Sequence, residues 1–170
     1  MKIFIPRPVT RYVSKEVYES ISNQKNIDLE VIEVVSKIDF NESIENRVVN
    51  RNKILDMALS CNDEYFVMLD SDSSFIGNTD IAEMFNFLLK NPDVGAVSLA
   101  SKNIRLLYGH VDIECTMIKT DSVKNVRFKN TGSCECNMFW YDLKKNGYEH
   151  RYLDNKIRLK TVEEYRNGAS

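Results

Sequence analysis

The sequence predicts an α/β fold, a three-layer sandwich in which helices cover both faces of a mostly parallel twisted sheet. Patterns typical of strands alternate with patterns typical of helices along the chain. One strand pattern, Tyr65 to Leu69, is aromatic and apolar throughout, as expected where helices cover both sides of a strand. The chain has 170 residues, 43% of them apolar, which predicts a single domain over residues 1–170.

The first elements are two strands separated by a helix. Lys2 to Ile5 is a short apolar run closed by Pro6, and Leu29 to Val35 is rich in β-branched residues, so both patterns predict strands. Between them, Ser14 can cap a helix that extends to about Ser22.

The longest helical pattern extends from Ile44 to Cys61. Arg47 and Arg51, four residues apart, share a face that differs from its apolar stripe. The strand Tyr65 to Leu69 follows and stops at Asp70-Ser71-Asp72.

The second half of the chain continues the alternation. A helix from about Thr79 to Lys90, capped by Thr79 or Asp80, ends at Asn91-Pro92-Asp93. The remaining patterns predict the strand Val94 to Leu99, the strand Ile113 to Ile118, the helix Glu135 to Asn146 ended by Gly147, and the strand Tyr148 to Leu153.

Composition excludes several classes of function. The 23 Lys and Arg residues and 25 Asp and Glu residues give a net charge of −2, which argues against a nucleic-acid partner. The four cysteines form no C-x-x-C pair and are too few for a disulfide scaffold. No apolar stretch is long enough for a signal peptide or a transmembrane segment, so we expect a cytoplasmic protein, of a cell or of an infected host cell.

The candidate site is the Asp70-Ser71-Asp72 triplet. Ligands of open α/β sheets bind beyond the carboxyl ends of the strands, where this triplet is expected to lie. Two carboxylates so close together repel each other, and a hard cation such as Mg²⁺ or Mn²⁺ would relieve that repulsion. The alternative is an ordinary polar turn, in which Asp and Ser are common.

Several segments together resemble the GT-A fold glycosyltransferases. They are Ile5-Pro6 after the first strand, Arg51-Asn52 in a helix, the strand that ends in Asp70-Ser71-Asp72, Glu135 at a helix start, and residues 144–148, Lys-Lys-Asn-Gly-Tyr, at its end. The large inverting family 2 is the most similar. At this length the chain resembles the compact members that viruses encode, with an acceptor pocket that is reduced or supplied by a partner and only the residues after Asp154 left for it.

The resemblance implies a Rossmann-like nucleotide-diphospho-sugar transferase of the hexosyltransferase type. It would move a sugar from a nucleoside diphosphate sugar, by family frequency a UDP-sugar, to a hydroxyl of a glycan, lipid or protein with inversion. Asp70 and Asp72 would bind Mn²⁺ or Mg²⁺ at the diphosphate, and Pro6 and Arg51 would bind the nucleotide. Glu135 would act as the catalytic base. The alternatives are a solvated helix arginine at position 51 and an ordinary acidic residue in a first turn at position 135.

The sequence departs from the family pattern at the end of the second strand. The family commonly has there an Asp that binds the nucleobase, but Val35 is followed by Ser36, and the next acidic residue is Asp39. Uridine specificity therefore stays open.

A second departure from the family pattern concerns the catalytic base. The family's Glu-Asp pair is Glu135-Cys136 here, and the Asp is often the catalytic base. The base is then Glu135, another residue, or absent, and an inactive protein is an open alternative. The other candidate bases are Asp112, Glu114 and Asp154.

A late histidine is a third metal ligand in some GT-A enzymes, which makes His150 a candidate ligand. It lies inside a predicted strand, however, and that position favours an ordinary strand histidine.

Two other functions remain open. Phosphatases and phosphotransferases of the haloacid-dehalogenase kind also have an apolar strand that ends in Asp-x-Asp. Their motif normally lies at the N-terminus, and they favour Thr or Val where this chain has Ser74. A catalytically silent sugar-nucleotide-binding protein is the other alternative. A nucleotidyltransferase is disfavoured because no Gly-rich loop follows the first strand.

Overall fold

The structure is a computed structural model that describes residues 1–9, 12–36, 44–101, 113–132 and 135–159. The strands are β1 (Lys2–Pro8), β2 (Glu30–Ser36), β3 (Tyr65–Leu69), β4 (Ser73–Phe75), β5 (Val94–Ser101), β6 (Cys115–Lys119) and β7 (Glu149–Leu159). The helices are α1 (Lys15–Ser22), α2 (Ile44–Ser60), α3 (Asp80–Lys90) and α4 (Glu135–Lys145), and a 3-10 turn covers Thr120–Val123.

The seven strands form one sheet with the order β2-β1-β3-β6-β5-β7-β4 in the part of the chain that the structure describes. Five of these strands, β1, β2, β3, β5 and β7, run in one direction, whereas β6 and β4 run against them. The prediction of a mostly parallel sheet is therefore confirmed.

Helices cover both faces of the sheet because its strands alternate their apolar side chains between the two sides. On β1, Ile3 and Ile5 point to one face and Phe4 to the other. The first face packs against residues of α1 and α3, namely Val17, Ile21, Ile81, Met84 and Leu88. The second packs against residues of α2 and α4, namely Ile54, Leu55, Ala58, Phe139 and Leu143. The two cores confirm the predicted three-layer sandwich.

The chain forms one strand that the sequence did not predict and a longer last strand. β4 has only three residues, Ser-Ser-Phe, too few for a pattern of alternation. It pairs with the end of β7, where Ser73 lies opposite Leu159 and Phe75 opposite Ile157. The prediction that the last strand ends at Leu153 is wrong for this reason, and residues 154–159 belong to the sheet as well.

The carboxyl end of β3 lies at the same edge of the sheet as the first turns of α2 and α4. α2 leads into β3, and α4 leads into β7, so both helices begin where those strands end. On β1, Phe4 pairs with Met68, and two residues further along both strands Pro6 comes level with Asp70. Topology thus gathers Pro6, Asp70, Asp72 and the first turns of α2 and α4 at one edge.

Among the described residues, no helix is long and apolar enough to cross a membrane.

Candidate functional site

Asp70 and Asp72 lie on a tight turn that follows β3. The backbone N–H of Ser73 donates to the carbonyl oxygen of Asp70 at 3.0 Å, which closes the turn. The N–H of Asp70 donates to the carbonyl oxygen of Glu114 at 2.8 Å, so the start of the turn is fixed to the residue before β6. Both aspartates are half-buried. The fold therefore holds two carboxylates on one short, hydrogen-bonded turn at the carboxyl edge.

The donor set fits a divalent cation that a substrate helps to bind. No three or more His, Cys, Asp or Glu side chains form a metal-binding group within the ranges described above. Carboxylate oxygens suit Mg²⁺ and Mn²⁺, which commonly take one or two carboxylates and complete their shells with phosphate oxygens and water. Asp70 and Asp72 provide such a pair.

Arg51 of α2 points inward, and only 9% of it is exposed. Its NH1 donates to Glu135 Oε1 at 3.0 Å and contacts Cys136 Sγ at 3.1 Å. Its guanidinium carbon lies 5.6 Å from the centre of the Phe128 ring. Burial opposes its charge, but the neighbouring charge of Asp70, with Cys136 and Glu135, outweighs burial and raises the pKa of Arg51. The alternative of a solvated arginine is therefore wrong.

Glu135, the first residue of α4, is 1% exposed. Its Oε1 accepts hydrogen bonds from Arg51 NH1 and, at 2.9 Å, from Arg47 Nε. Its Oε2 has no hydrogen-bond partner among the described residues. Burial disfavours the charged form, but Arg51, the residue's own backbone N–H and Arg47 together hold the pKa of Glu135 below its usual value. Glu135 is therefore a buried carboxylate with two arginine partners.

The sequence singled out Asn52 only as part of the Arg51-Asn52 segment, without a role, and it did not indicate that Asn52 connects α2 to Phe128 in the segment before α4. Asn52 Nδ2 donates to the carbonyl oxygen of Phe128 at 3.0 Å, and the N–H of Phe128 donates to Asn52 Oδ1 at 2.9 Å. This pair fixes the backbone beneath Arg51. The i, i+4 spacing of Arg47 and Arg51 did show a shared face, but the spacing alone could not show that α4 packs there.

The structure places the other predicted residues at different distances from the turn. Pro6 is buried on β1, level with Asp70. His150 lies opposite Ala96 on β5, and Ala96 lies opposite Ile118 on β6. Ile118 in turn lies opposite Phe66 on β3, four residues before Asp70. His150 lies three strands from β3 and about 13 Å down the strand direction, at about 3.3 Å per residue. His150 is therefore not brought to the Asp70 and Asp72 turn.

His150 instead lies in a buried aromatic cluster. Its ring stacks on Trp140 with 4.0 Å between centroids, and Tyr152 packs edge-on at 4.7 Å. Its Nε2 is 2.9 Å from Ser98 Oγ. Burial, with the nearby charge of Arg151, lowers the pKa of His150 to about 3. These contacts are those of an ordinary strand histidine.

Of the other candidate bases, the carbonyl oxygen of Glu114 binds the N–H of Asp70, as described above. Asp39 and Asp112 lie outside the described residues, and so does the side chain of Asp154.

Comparison with solved structures shows the same architecture in glycosyltransferases. A mannosyltransferase from Pyrobaculum calidifontis, solved with GDP-Man and Mn²⁺, superposes with a TM-score of 0.69 at 15% identity, over 98% of this chain and 59% of that one. The chain has the GT-A fold. TarS of S. aureus gives a TM-score of 0.67 at 14% identity, over 98% of this chain and 62% of that one. A glycosyltransferase that glycosylates the major capsid of PBCV-1 gives 0.57 at 13% identity, over 90% and 81%.

The fold-level expectation from the sequence is thus confirmed. The chain spans about three fifths of the length of the first two of these structures. No protein-family model matches the sequence, and no curated protein matches it.

Proposed function

We propose that this protein is a metal-dependent glycosyltransferase that moves a sugar from a nucleoside diphosphate sugar to an acceptor hydroxyl. The observation that carries the proposal is the Asp70-Ser71-Asp72 turn at the carboxyl edge of a GT-A sheet, with the buried Arg51 beside it. Similar structures support it, since one was solved with GDP-Man and Mn²⁺ and another with UDP-GlcNAc.

Each residue of the site has a role that follows from its chemistry. Asp70 and Asp72 would hold Mn²⁺ or Mg²⁺, which neutralises negative charge on the departing nucleoside diphosphate. Arg51 carries a fixed positive charge at the same place, so it opposes the build-up of negative charge on the phosphates. Pro6, level with Asp70, would form part of the nucleotide-binding wall.

The resemblance to the inverting family 2 leads us to propose transfer with inversion. Inversion requires a base on the far side of the sugar from the leaving phosphate, within hydrogen-bond reach of the acceptor hydroxyl. Glu135 is the residue that the sequence proposes for this step. Its Oε1 accepts hydrogen bonds from Arg47 and Arg51, so its Oε2 is the oxygen that would take the acceptor proton.

The proposal is tested by titrating UDP-GlcNAc and GDP-Man into the full chain by calorimetry, in chelator and in Mn²⁺. We expect Mn²⁺ to raise the affinity for one of them by at least tenfold, because the cation links both aspartates to the diphosphate. Asp72→Asn should remove this gain. Asp93→Asn, an exposed aspartate before β5 at the opposite edge of the sheet, is the matched control and should retain it. Equal affinities in chelator and in Mn²⁺ would contradict the metal-dependent donor site.

Turnover separates the proposal from its alternatives. A transferase releases the nucleoside diphosphate when an acceptor is present, whereas a silent sugar-nucleotide-binding protein binds the donor with no release. A haloacid-dehalogenase-like phosphatase would release inorganic phosphate from a phosphomonoester instead. The position of Asp70 after the third strand weighs against the phosphatase, whose motif follows the first.

A further inference from the structure

Arg47 is the exposed member of the charged group at the start of α4. Its side chain is 37% exposed, whereas that of Glu135, to which its Nε donates at 2.9 Å, is only 2% exposed. A guanidinium has several N–H donors, and the bond to Glu135 uses one of them. The other donors of Arg47 have no acceptor among the described residues. Arg47 is therefore held at one atom and has further donors free for a ligand.

Arg51 binds the same carboxylate oxygen but has a different environment. It is largely buried, its NH1 also contacts Cys136 Sγ at 3.1 Å, and its guanidinium carbon lies 5.6 Å from the centre of the Phe128 ring. The charge of Asp70, on the proposed metal turn, acts on it as well. Protein groups thus surround Arg51, and Arg47 is the arginine that a ligand can reach.

Glu135 has an unmet hydrogen-bonding need next to that of Arg47. Its Oε1 accepts from both arginines, but its Oε2 is buried and has no donor among the described residues. A buried carboxylate oxygen without a donor is costly, so it calls for a ligand or an ordered water. One carboxyl group therefore joins an oxygen that needs a donor to a guanidinium that needs acceptors.

These two needs define a ligand that would meet both. Such a molecule donates a hydroxyl to Glu135 Oε2 and offers an oxygen acceptor to Arg47, a few bonds away. An anionic acceptor group is favoured over a neutral one, because a guanidinium binds a carboxylate or a phosphate through two parallel, charge-assisted hydrogen bonds. The charge of Arg47 is also only partly compensated, since Glu135 is its one ion-pair partner in the described part of the chain and is shared with Arg51.

We propose that Arg47 binds an anionic group of the sugar acceptor, so that the acceptor is a hydroxyl compound with a carboxylate or a phosphate close to the hydroxyl that reacts. This inference rests on the proposed function, in which Glu135 Oε2 takes the proton of that hydroxyl. Arg47 then determines specificity: it contacts the acceptor and orients it, and it takes no part in proton transfer.

The diphosphate of the donor is the other anion expected at this edge, but its place is closer to Arg51. Asp70 and Asp72 would hold the cation that binds the diphosphate, and Asp70 is the residue whose charge acts on Arg51. Arg47 instead contacts Glu135, which faces the acceptor hydroxyl in the proposed reaction. A decisive test therefore fills the donor site first and then measures whether a second anion binds.

The experiment saturates the full chain with Mn²⁺ and with UDP or GDP, whichever binds more tightly, and then titrates small hydroxyl compounds by calorimetry at constant ionic strength. The probes are two matched pairs, glycerol 3-phosphate with glycerol and glucuronate with glucose. We expect the anionic member of at least one pair to bind about tenfold more tightly than its neutral partner, because the neutral compound gives Arg47 no anion to bind. The two pairs distinguish a phosphate from a carboxylate.

Substitution of Arg47 shows whether this residue binds the anion. Arg47→Gln should weaken binding of that anion about tenfold and leave binding of its neutral partner and of the nucleotide within about twofold. Arg47→Lys retains the charge but loses the fork of paired donors, so it should weaken the anion by about threefold. In assays with UDP-GlcNAc and GDP-Man, the anionic compound should receive sugar faster than its neutral partner, and Arg47→Gln should remove this preference.

Arg127→Gln is the matched control. The Arg127 side chain is 40% exposed and also binds one carboxylate, that of Asp56 at 3.2 Å. Asp56 lies more than two helical turns further along α2 than Arg47. The control removes the same charge from the protein and should leave the affinities for anion and nucleotide unchanged.

Each contrary outcome has a distinct meaning. Equal affinities within both pairs, equal anion binding by wild type and Arg47→Gln, or a bound anion that receives no sugar would each overturn the inference. Should Arg47→Gln fail to fold, unchanged anion binding by Arg47→Lys would overturn it equally. A loss of nucleotide affinity in Arg47→Gln would assign Arg47 to the donor diphosphate instead. A wild-type chain that binds neither UDP nor GDP with Mn²⁺ would refute the proposed function itself.

Discussion

Two titratable groups, the buried Glu135 and the half-buried His150, contact residues of α2 and α4, and the protein keeps the first charged and the second neutral. Glu135 begins the helix at the carboxyl edge, where Arg47 and Arg51 bind its carboxylate. His150 lies on β7 beside Trp140, in the middle of the same helix, and its ring is stacked and hydrogen-bonded to Ser98. The pKa of both groups is lowered, which preserves the charge of the acid and prevents that of the base.

The difference teaches how burial is compensated in the two places. A buried charge is tolerated only with counter-ions, and α2 supplies two of them at the edge. Away from the edge, no carboxylate in the described part of the chain raises the pKa of His150, and the nearby Arg151 lowers it further, so the neutral imidazole is the stable form. Charge is thus kept at the edge where the proposed substrate binds, and removed from the aromatic core.

The largest effect on stability should come from removing a counter-ion of the buried Glu135 carboxylate. Arg51→Met removes one of the two counter-ions of Glu135 and should reduce the free energy of unfolding by about 3–5 kcal/mol, the usual result of leaving a buried charge without its partner. Urea denaturation at neutral pH measures it.

The double variant Arg51→Met/Glu135→Gln is the control for that measurement. Because it removes both charges of the buried pair, it should recover more than half of the lost stability. A loss below 1 kcal/mol in the single variant would show that the Arg51–Glu135 contact does not hold the buried charge.

The neutral state of His150 predicts that the free energy of unfolding depends on pH. The pKa of His150 falls from 6.5 to about 3 on folding, so between these values the unfolded chain binds a proton that the folded chain does not. Stability from neutral His150 is therefore fully present above pH 6.5 and is lost as the pH falls towards 3. At pH 5 the loss should reach about 2 kcal/mol.

His150→Phe tests this, since phenylalanine retains a ring against Trp140 but cannot titrate. The difference in unfolding free energy between wild type and variant should shift by about 2 kcal/mol in favour of the variant from pH 7 to pH 5. The other histidine of the chain, His110, is present in both proteins and cancels. A difference that stays constant over this range would mean that His150 titrates normally in the folded state.

The sequence predicted the parts of the site that depend on local patterns, but not those that depend on long-range contacts. Tyr65 to Leu69 and the triplet after it were predictable because an apolar strand followed by two carboxylates is a local pattern. The four-residue spacing of Arg47 and Arg51 is also local. Their shared partner Glu135 lies 84 residues beyond Arg51, and no spacing rule encodes a contact of that range.

His150 was uncertain from the sequence for the same physical reason. A strand histidine can face a metal or an aromatic core, and only the sheet order decides between them. Here β6 and β5 separate β7 from β3, so His150 is kept far from the aspartates. The pairing of β4 with β7 is equally long-range, which is why a three-residue strand escaped prediction.

The smallest effect should come from an ion pair that joins similar elements without being buried. Arg127 NH2 lies 3.2 Å from Asp56 Oδ1, so this pair connects α2 to the segment before α4 much as Arg51 and Glu135 connect α2 to α4 itself. The side chains of Arg127 and Asp56 are, however, 40% and 66% exposed. Water already solvates such charges and screens their attraction, so the pair contributes only about 0.2–1 kcal/mol. We expect Asp56→Asn to lower the unfolding free energy by no more than this and to lose even that effect in 1 M salt, whereas the Arg51→Met loss persists there. A loss above 2 kcal/mol for Asp56→Asn would show that connecting these elements, and not burial of the charge, makes the Arg51–Glu135 pair important.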